Sequence, residues 1–104
     1  MLVTGTPGGS RIISAVTQVI VNSIDYRMNI AAAVAAPRIH HQWLPDDVRA
    51  ERGIPEEVLA ELKDRGHKVV DTLGQTSANS IAVGPHGPLG APDPRTRGAW
   101  AEGQ

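Results

Sequence analysis

The sequence contains no cysteine and no phenylalanine, and aromatic residues supply only 3% of its 104 positions. Without cysteine the chain can form no disulfide, no thiolate metal site and no cysteine nucleophile. Valine, isoleucine, leucine and alanine must therefore fill the core. A chain of this length forms at most one domain, so we expect that core to be modest.

Excess charge and long apolar runs are also missing. The formal net charge is −1, so no basic field is available to attract nucleic acid or an anionic membrane, and we expect neither as a partner. The apolar tracts are interrupted by serine, threonine, glutamine and asparagine, so none is suited to span a bilayer. Residues 1–4 have neither the basic nor the apolar region of a signal peptide, and the sequence leaves the compartment unknown.

Helix and strand signals alternate along the chain. Between Ser10 and Asp25 many apolar residues are β-branched, but they recur at helical spacing over a run too long for an ordinary strand. This pattern predicts a largely buried helix. Asn29 is a suitable N-cap for the next helix, Pro37 stops it, and Pro55 suits the first turn of a third. The predicted elements in chain order are strand 2–4, helix 10–25, helix 30–36, an irregular or extended segment 38–47, strand 48–51, a third helix that ends near Gly66, and strands 67–71, 79–83 and 89–91.

Mixed helices and strands predict an α/β (α+β) layered fold, with an antiparallel hairpin near the C-terminus that turns at residues 84–87. The chain opens on a strand with no lead-in, which is natural for a piece of a larger protein. We therefore expect residues 1–104 to form a single partial domain. Beyond Pro94 the composition suggests a tail, residues 96–104, that depends on contacts elsewhere.

The most informative stretch is residues 5–12, Gly-Thr-Pro-Gly-Gly-Ser-Arg-Ile, because it places Gly8 and Gly9 directly before the first predicted helix. The first N–H groups of a helix have no partner inside it and lie at the positive end of its dipole. Glycine lets a ligand approach the backbone closely. The site could hold a phosphate, a carboxylate or a transient oxyanion, although most Gly-Gly pairs are plain turns. No P-loop or dinucleotide-binding motif is present.

The adjacent histidines His40 and His41 invite a metal-site hypothesis, but neighbours in an extended chain point to opposite sides. No ligand set such as HExxH accompanies them. We expect instead that they pack beside Trp43 with their ring nitrogens hydrogen-bonded, and that the chain binds no metal and no cofactor. No serine or threonine lies in a nucleophile elbow or has a base with motif support.

Residues 3–13, Val-Thr-Gly-Thr-Pro-Gly-Gly-Ser-Arg-Ile-Ile, resemble the Gly-Gly segment of the γ-glutamyltransferases, also called γ-glutamyltranspeptidases or glutathione hydrolases. Residues 36–46, Ala-Pro-Arg-Ile-His-His-Gln-Trp-Leu-Pro-Asp, resemble the same family, and that run is highly specific. Further similar segments follow the family's order at residues 22–26, 66–69, 80–81 and 90–95. The resemblance covers nearly the whole chain.

The resemblance implies an N-terminal-nucleophile hydrolase with a four-layer αββα sandwich, of which this chain would be the C-terminal part of the small subunit. In that family a precursor cleaves itself, and the new N-terminal threonine attacks the γ-glutamyl carbonyl. That threonine lies upstream in the family, so we expect this chain alone to be inactive. Gly8 and Gly9 correspond to the family's oxyanion hole and are the catalytic residues that we assign.

The resemblance also implies partners, namely the remaining small-subunit segment and the large subunit, with self-association as an alternative. A γ-glutamyl substrate such as glutathione would bind only the complete enzyme. Family members are commonly periplasmic or extracellular. Three interpretations stay open: a piece of a γ-glutamyltransferase, a stand-alone non-catalytic module that binds an anion or a partner subunit, and an inactive remnant. Ala78 and Asn79 depart from the family's usual Thr-Gln-type residues.

Overall fold

The computed structural model describes residues 1–74 and 76–103, so the predicted tail 96–104 is seen as far as Gly103, and Gln104 lies outside the described residues. The helices are α1 (Arg11–Ile24), α2 (Ile30–Ala35) and α3 (Glu56–Asp64). The strands are β1 (Leu2–Gly5), β2 (Ile39–His40), β3 (Val48–Glu51), β4 (Val69–Thr72), β5 (Asn79–Gly84) and β6 (Gly87–Ala91). The predicted mixed fold is confirmed.

The strands form two sheets of different character. The first has the order β1-β5-β6 and is antiparallel throughout, so the predicted C-terminal hairpin is present. The second has the order β2-β3-β4, in which β2 pairs antiparallel with β3 and β3 pairs parallel with β4. Parallel neighbours require a crossover connection, and α3 supplies it. The segment predicted as irregular or extended, 38–47, contains the two-residue strand β2.

A small core lies between the first sheet and the helices α1 and α2. Val19, Ile30, Val34, Ala78 and Ala91 form its buried cluster. Leu2 and Ala82 pack against this cluster from the sheet. The core is built from small aliphatic side chains, as expected for a chain with so few aromatic residues.

The helix α1 is amphipathic, so the prediction of a largely buried helix is wrong for this chain. Among its described residues Ala15 and Val19 are buried, whereas Ile13 is 76% exposed and Ile24 is also exposed. The reason is that α2, β1 and β2 contact one face of the helix and leave the opposite apolar face open.

Local signals fix the ends of the shorter helices. The Asn29 side chain accepts a hydrogen bond from the Ala32 N–H at 2.9 Å, as the N-cap prediction requires. Pro55 is the N-cap residue of α3, and Gly66 follows its end with a φ of +94°. Within residues 1–74 and 76–103 there is no helix with the length and apolar character needed to cross a membrane.

Candidate functional site

The loop between β1 and α1 places Gly8 and Gly9 at the N-terminal end of α1, where both are exposed. Gly8 has a φ of +136° and Gly9 a φ of +59°, and L-residues rarely adopt either value. Within the described part of the chain, neither N–H donates a hydrogen bond to a protein acceptor. The two amides are therefore available to a ligand.

The carbonyl of Gly8, by contrast, is engaged by the helix. It accepts a hydrogen bond from the Arg11 N–H at 3.1 Å. Because a peptide unit is planar and trans, fixing the Gly8 carbonyl also fixes the Gly9 N–H on the opposite side. The first turn of α1 holds no acidic residue, and Arg11 adds a cation there. The end of the helix therefore favours an anionic ligand.

A polar network joins the start of α1 to the segment around β2. Gln42 Oε1 accepts from the Ser10 hydroxyl and lies 2.9 Å from His40 Nε2, while its amide nitrogen donates to the Leu44 carbonyl. Since Oε1 can only accept, His40 Nε2 carries the hydrogen. His40 Nδ1 lies 2.7 Å from the Ser14 hydroxyl. His40 is 3% exposed and has both ring nitrogens hydrogen-bonded, as predicted.

His41 lies in a different environment, although both of its ring nitrogens are also hydrogen-bonded, as predicted. Its Nε2 lies 3.1 Å from Asp46 Oδ1, and its Nδ1 accepts from the Trp43 N–H. Trp43 has a positive φ of 72° and a side chain that is 76% exposed. The aromatic ring that contacts His41 is that of His67, at 6.1 Å between centroids. Among the described residues, no group of three or more His, Cys, Asp or Glu could hold a metal ion.

A cluster of buried charged residues, which no sequence pattern predicted, lies near the Gly-Gly loop. Arg38 is 1% exposed and Asp93 is fully buried, and their Nη2 and Oδ2 atoms are 2.9 Å apart. Arg95 pairs with Asp93 at 3.0 Å and with Glu51 at 2.5 Å. We call these residues, Arg38, Glu51, Asp93 and Arg95, the buried charge cluster. One signal for this cluster was present in the sequence: Arg38, Asp93 and Arg95 lie in the segments 36–46 and 90–95 that resemble the family.

The buried charge cluster shifts the pKa of two of its members. Burial raises the pKa of Asp93, but hydrogen bonds from the N–H groups of Ala78 and Arg95 and from the side chains of Arg38 and Arg95 outweigh burial, so the pKa lies below its ordinary value. Burial lowers the pKa of Arg95, but its hydrogen bonds to Glu51 and Asp93 outweigh that effect and raise it. Both groups are charged at neutral pH.

Thr76 connects the buried charge cluster to the Gly-Gly loop. Its carbonyl accepts from Arg38 Nη1 at 2.6 Å. Its hydroxyl is hydrogen-bonded to the Pro7 carbonyl and lies 2.6 Å from the Thr6 hydroxyl. No motif marked Thr76 in the sequence, because its partners lie between 38 and 70 positions away along the chain.

Comparisons with known proteins agree with this architecture. The family model described as Gamma-glutamyltranspeptidase matches residues 1–103. The glutathione hydrolase proenzyme of Escherichia coli (strain K12) is 55% identical over 96 residues, which cover 91% of this chain and 17% of that protein.

Solved structures of related enzymes superpose closely on the chain. An acivicin-inhibited gamma-glutamyltranspeptidase matches with a TM-score of 0.86 and 48% identity, over 92% of this chain and 54% of that one. The gamma-glutamyltranspeptidase from Pseudomonas nitroreducens, complexed with L-DON, matches with a TM-score of 0.88 and 36% identity, over 99% of this chain and 55% of that one.

The architecture is therefore that of the N-terminal-nucleophile hydrolases. Within that class, the chain belongs to the γ-glutamyltranspeptidase family. It spans 17% of the length of the curated relative from E. coli and just over half of each solved chain.

Proposed function

We propose that this chain is the part of a γ-glutamyl hydrolase and transferase that stabilises the oxyanion of the tetrahedral intermediate, through the N–H groups of Gly8 and Gly9. The observation that carries the proposal is the pair of exposed amides at the start of α1, which have no acceptor within the described part of the chain. The nucleophile of the reaction is the N-terminal threonine that the family resemblance implies, and it lies outside these 104 residues.

The proposed chemistry follows from the charge that develops during acyl transfer. When a nucleophile attacks a γ-glutamyl carbonyl, the carbonyl oxygen becomes an oxyanion. Donors already oriented toward that position need no reorganisation, and removing one such donor typically costs a factor of about 10²–10³ in rate. The uncompensated N-terminus of α1 adds favourable potential at the same place.

The surroundings of Gly9 support the same proposal. A Cβ atom built on Gly9 meets no heavy atom within 4 Å among the described residues. Backbone donors that face open space can be approached by a substrate oxygen, and a side chain at this position would occupy that approach.

The partners that we propose are the remaining small-subunit segment and the large subunit. The chain presents exposed apolar side chains on the open face of α1, such as Ile13 and Ile24, and on the outer face of the first sheet, such as Val3, Ile81 and Val83. Contiguous apolar surface of this kind is typical of interfaces. These faces would be covered in the complete enzyme.

The test is the turnover of γ-glutamyl-p-nitroanilide by the complete enzyme that carries this chain. We expect Gly9→Val to lower kcat by a factor of about 10²–10³, because the side chain blocks the approach to the amides. Gly5→Val is the matched control, since Gly5 lies in β1 and a Cβ there also meets nothing within 4 Å among the described residues.

Equal kcat values for the two variants would refute the oxyanion site. Binding of a γ-glutamyl ligand without turnover by the wild type would instead support a non-catalytic module.

A further inference from the structure

The side chain of Thr76 holds the Gly-Gly loop from outside. The Thr76 hydroxyl is hydrogen-bonded to the Pro7 carbonyl. The Thr6 hydroxyl lies 2.6 Å from the Thr76 hydroxyl and 2.8 Å from the Pro7 carbonyl. Each hydroxyl has a single hydrogen. Two arrangements use one hydrogen each: Thr76 donates to the Pro7 carbonyl and Thr6 to Thr76, or Thr6 donates to the carbonyl and Thr76 to Thr6. In both arrangements the joined threonine hydroxyls supply the donor to the Pro7 carbonyl. The loop is thus held at the carbonyl that directly precedes Gly8.

That carbonyl determines the direction of the Gly8 N–H. The Pro7 carbonyl and the Gly8 N–H belong to one planar, trans peptide unit, so they point in opposite directions. A hydrogen bond that fixes the Pro7 carbonyl therefore fixes the Gly8 N–H as well. Without such a bond the unit could rotate, because glycine places few restrictions on its own backbone. The helix fixes the Gly9 N–H, and Thr76 together with Thr6 fixes that of Gly8.

Thr76 is itself held by the buried charge cluster. Its carbonyl accepts from Arg38 Nη1 at 2.6 Å, and Arg38 is anchored to Asp93. Thr76 also contacts the loop closely, because a Cβ atom on Gly8 would lie 2.9 Å from Thr76 Oγ1. The position of the Thr76 hydroxyl is therefore set by the buried charge cluster, through Arg38.

We propose that Thr76 is a positioning residue for the oxyanion site, and this inference rests on the proposed function. Thr76 acts through the Pro7–Gly8 peptide unit and contacts no reacting atom. The oxyanion exists in the transition state and not in the bound substrate. Loss of the Thr76 hydroxyl should therefore lower kcat and leave KM nearly unchanged.

The test uses the complete enzyme with γ-glutamyl-p-nitroanilide and three variants. Thr76→Val keeps the shape of the side chain and removes the hydroxyl, so we expect kcat to fall about 10- to 100-fold with KM within about twofold. Thr76→Ser keeps the hydroxyl and should retain kcat within about threefold. Thr72→Val is the control, because it removes a hydroxyl that bonds to the Leu73 carbonyl, away from the loop.

An unchanged kcat in Thr76→Val, an equal loss in Thr76→Ser, or an effect on KM alone would overturn the proposal. If the wild type shows no turnover, the proposed function fails, and the positioning role is then decided by ¹⁵N-glycine NMR of the same polypeptide. In that spectrum we expect the Gly8 amide resonance to shift or broaden in Thr76→Val and to stay in place in Thr76→Ser. A Gly8 resonance that is unmoved in Thr76→Val would also overturn the role of the hydroxyl.

Discussion

At the scale of single residues, the buried charge cluster is organised around two side chains that are almost fully buried although both are charged, Arg38 and Asp93. The free energy lost when the two charges leave water is about equal to the free energy gained from their mutual attraction. The pair therefore adds little net stability. Its effect is to hold separate segments together, because Arg38 bonds to the carbonyls of Val34 and Thr76 and Asp93 accepts from the N–H of Ala78. Removing one partner leaves the other charge buried and unpaired.

We predict that Asp93→Asn lowers the free energy of unfolding by about 3 kcal/mol at neutral pH, since the variant leaves Arg38 without its buried carboxylate. The folded-state pKa of Asp93 lies below its ordinary value of 3.8. Its contribution is therefore complete above that value and is lost as the pH falls through the lowered folded pKa. The difference between wild type and variant should shrink at acid pH, which urea unfolding between about pH 7 and pH 3 measures.

The control for this prediction is Asp64→Asn, at the exposed C-terminal end of α3. An exposed carboxylate outside the buried charge cluster should change the unfolding free energy by no more than about 0.5 kcal/mol. Equal losses in the two variants would show that Asp93 is not a buried pairing residue. A difference that grows toward acid pH would show that its charge does not stabilise the fold.

At the scale of elements, the side chain of Gln18 on α1 provides the hydrogen-bond partners that the edge strand β2 lacks on its open side. Gln18 Nε2 donates to the Ile39 carbonyl at 2.7 Å, and Gln18 Oε1 accepts from the Ile39 N–H at 2.9 Å. A side-chain amide has the same donor and acceptor as a peptide group, so Gln18 takes the place of a neighbouring strand. This contact explains how a strand of two residues is held next to α1 and beside the Gly-Gly loop.

We predict that Gln18→Met increases hydrogen exchange at the Ile39 amide and lowers the unfolding free energy by about 1–2 kcal/mol, because both backbone groups of Ile39 lose their partner. Gln18→Glu keeps an acceptor for the Ile39 N–H and should preserve its protection. The adjacent Thr17→Val, at an exposed position of α1, should leave the exchange rate unchanged. If Ile39 exchanges equally fast in wild type and Gln18→Met, the side chain does not serve as a strand partner.

The sequence predicts those elements whose signals are local. The N-cap Asn29, the glycine after α3 and the helical spacing in α1 depend on neighbouring residues, and the elements that they predict are present. Long-range contacts leave no such signal. The strand β2 depends on Gln18, and the support of the Gly-Gly loop depends on the hydroxyl of Thr76, about seventy positions away. The family resemblance indicated Gly8 and Gly9, but the orientation of their amides is a property of the folded chain.

At the scale of the whole molecule, the chain is elongated and has large open apolar faces. Its radius of gyration is 14.5 Å, against about 13 Å for a compact domain of this length. The core lies on one side of the first sheet, and Val3 and Ile81 are exposed on the other, with Trp100 of the tail beside them. The outward face of α1 is equally open. The prediction of a buried α1 failed because burial depends on which neighbours the chain contains.

The proposed function also predicts what the chain can catalyse alone. Backbone donors stabilise an oxyanion only after a nucleophile has attacked, and we propose that this nucleophile is a threonine outside these residues. We predict that the purified 104-residue chain releases no p-nitroaniline from γ-glutamyl-p-nitroanilide above background.

Addition of the remaining polypeptide of the enzyme should restore release and lower the binding of a hydrophobic dye, as the apolar faces become covered. A chain carrying Gly9→Val should still assemble but fail to restore release. Turnover by the wild-type chain alone, abolished by changing one of its own serines or threonines, would contradict the prediction.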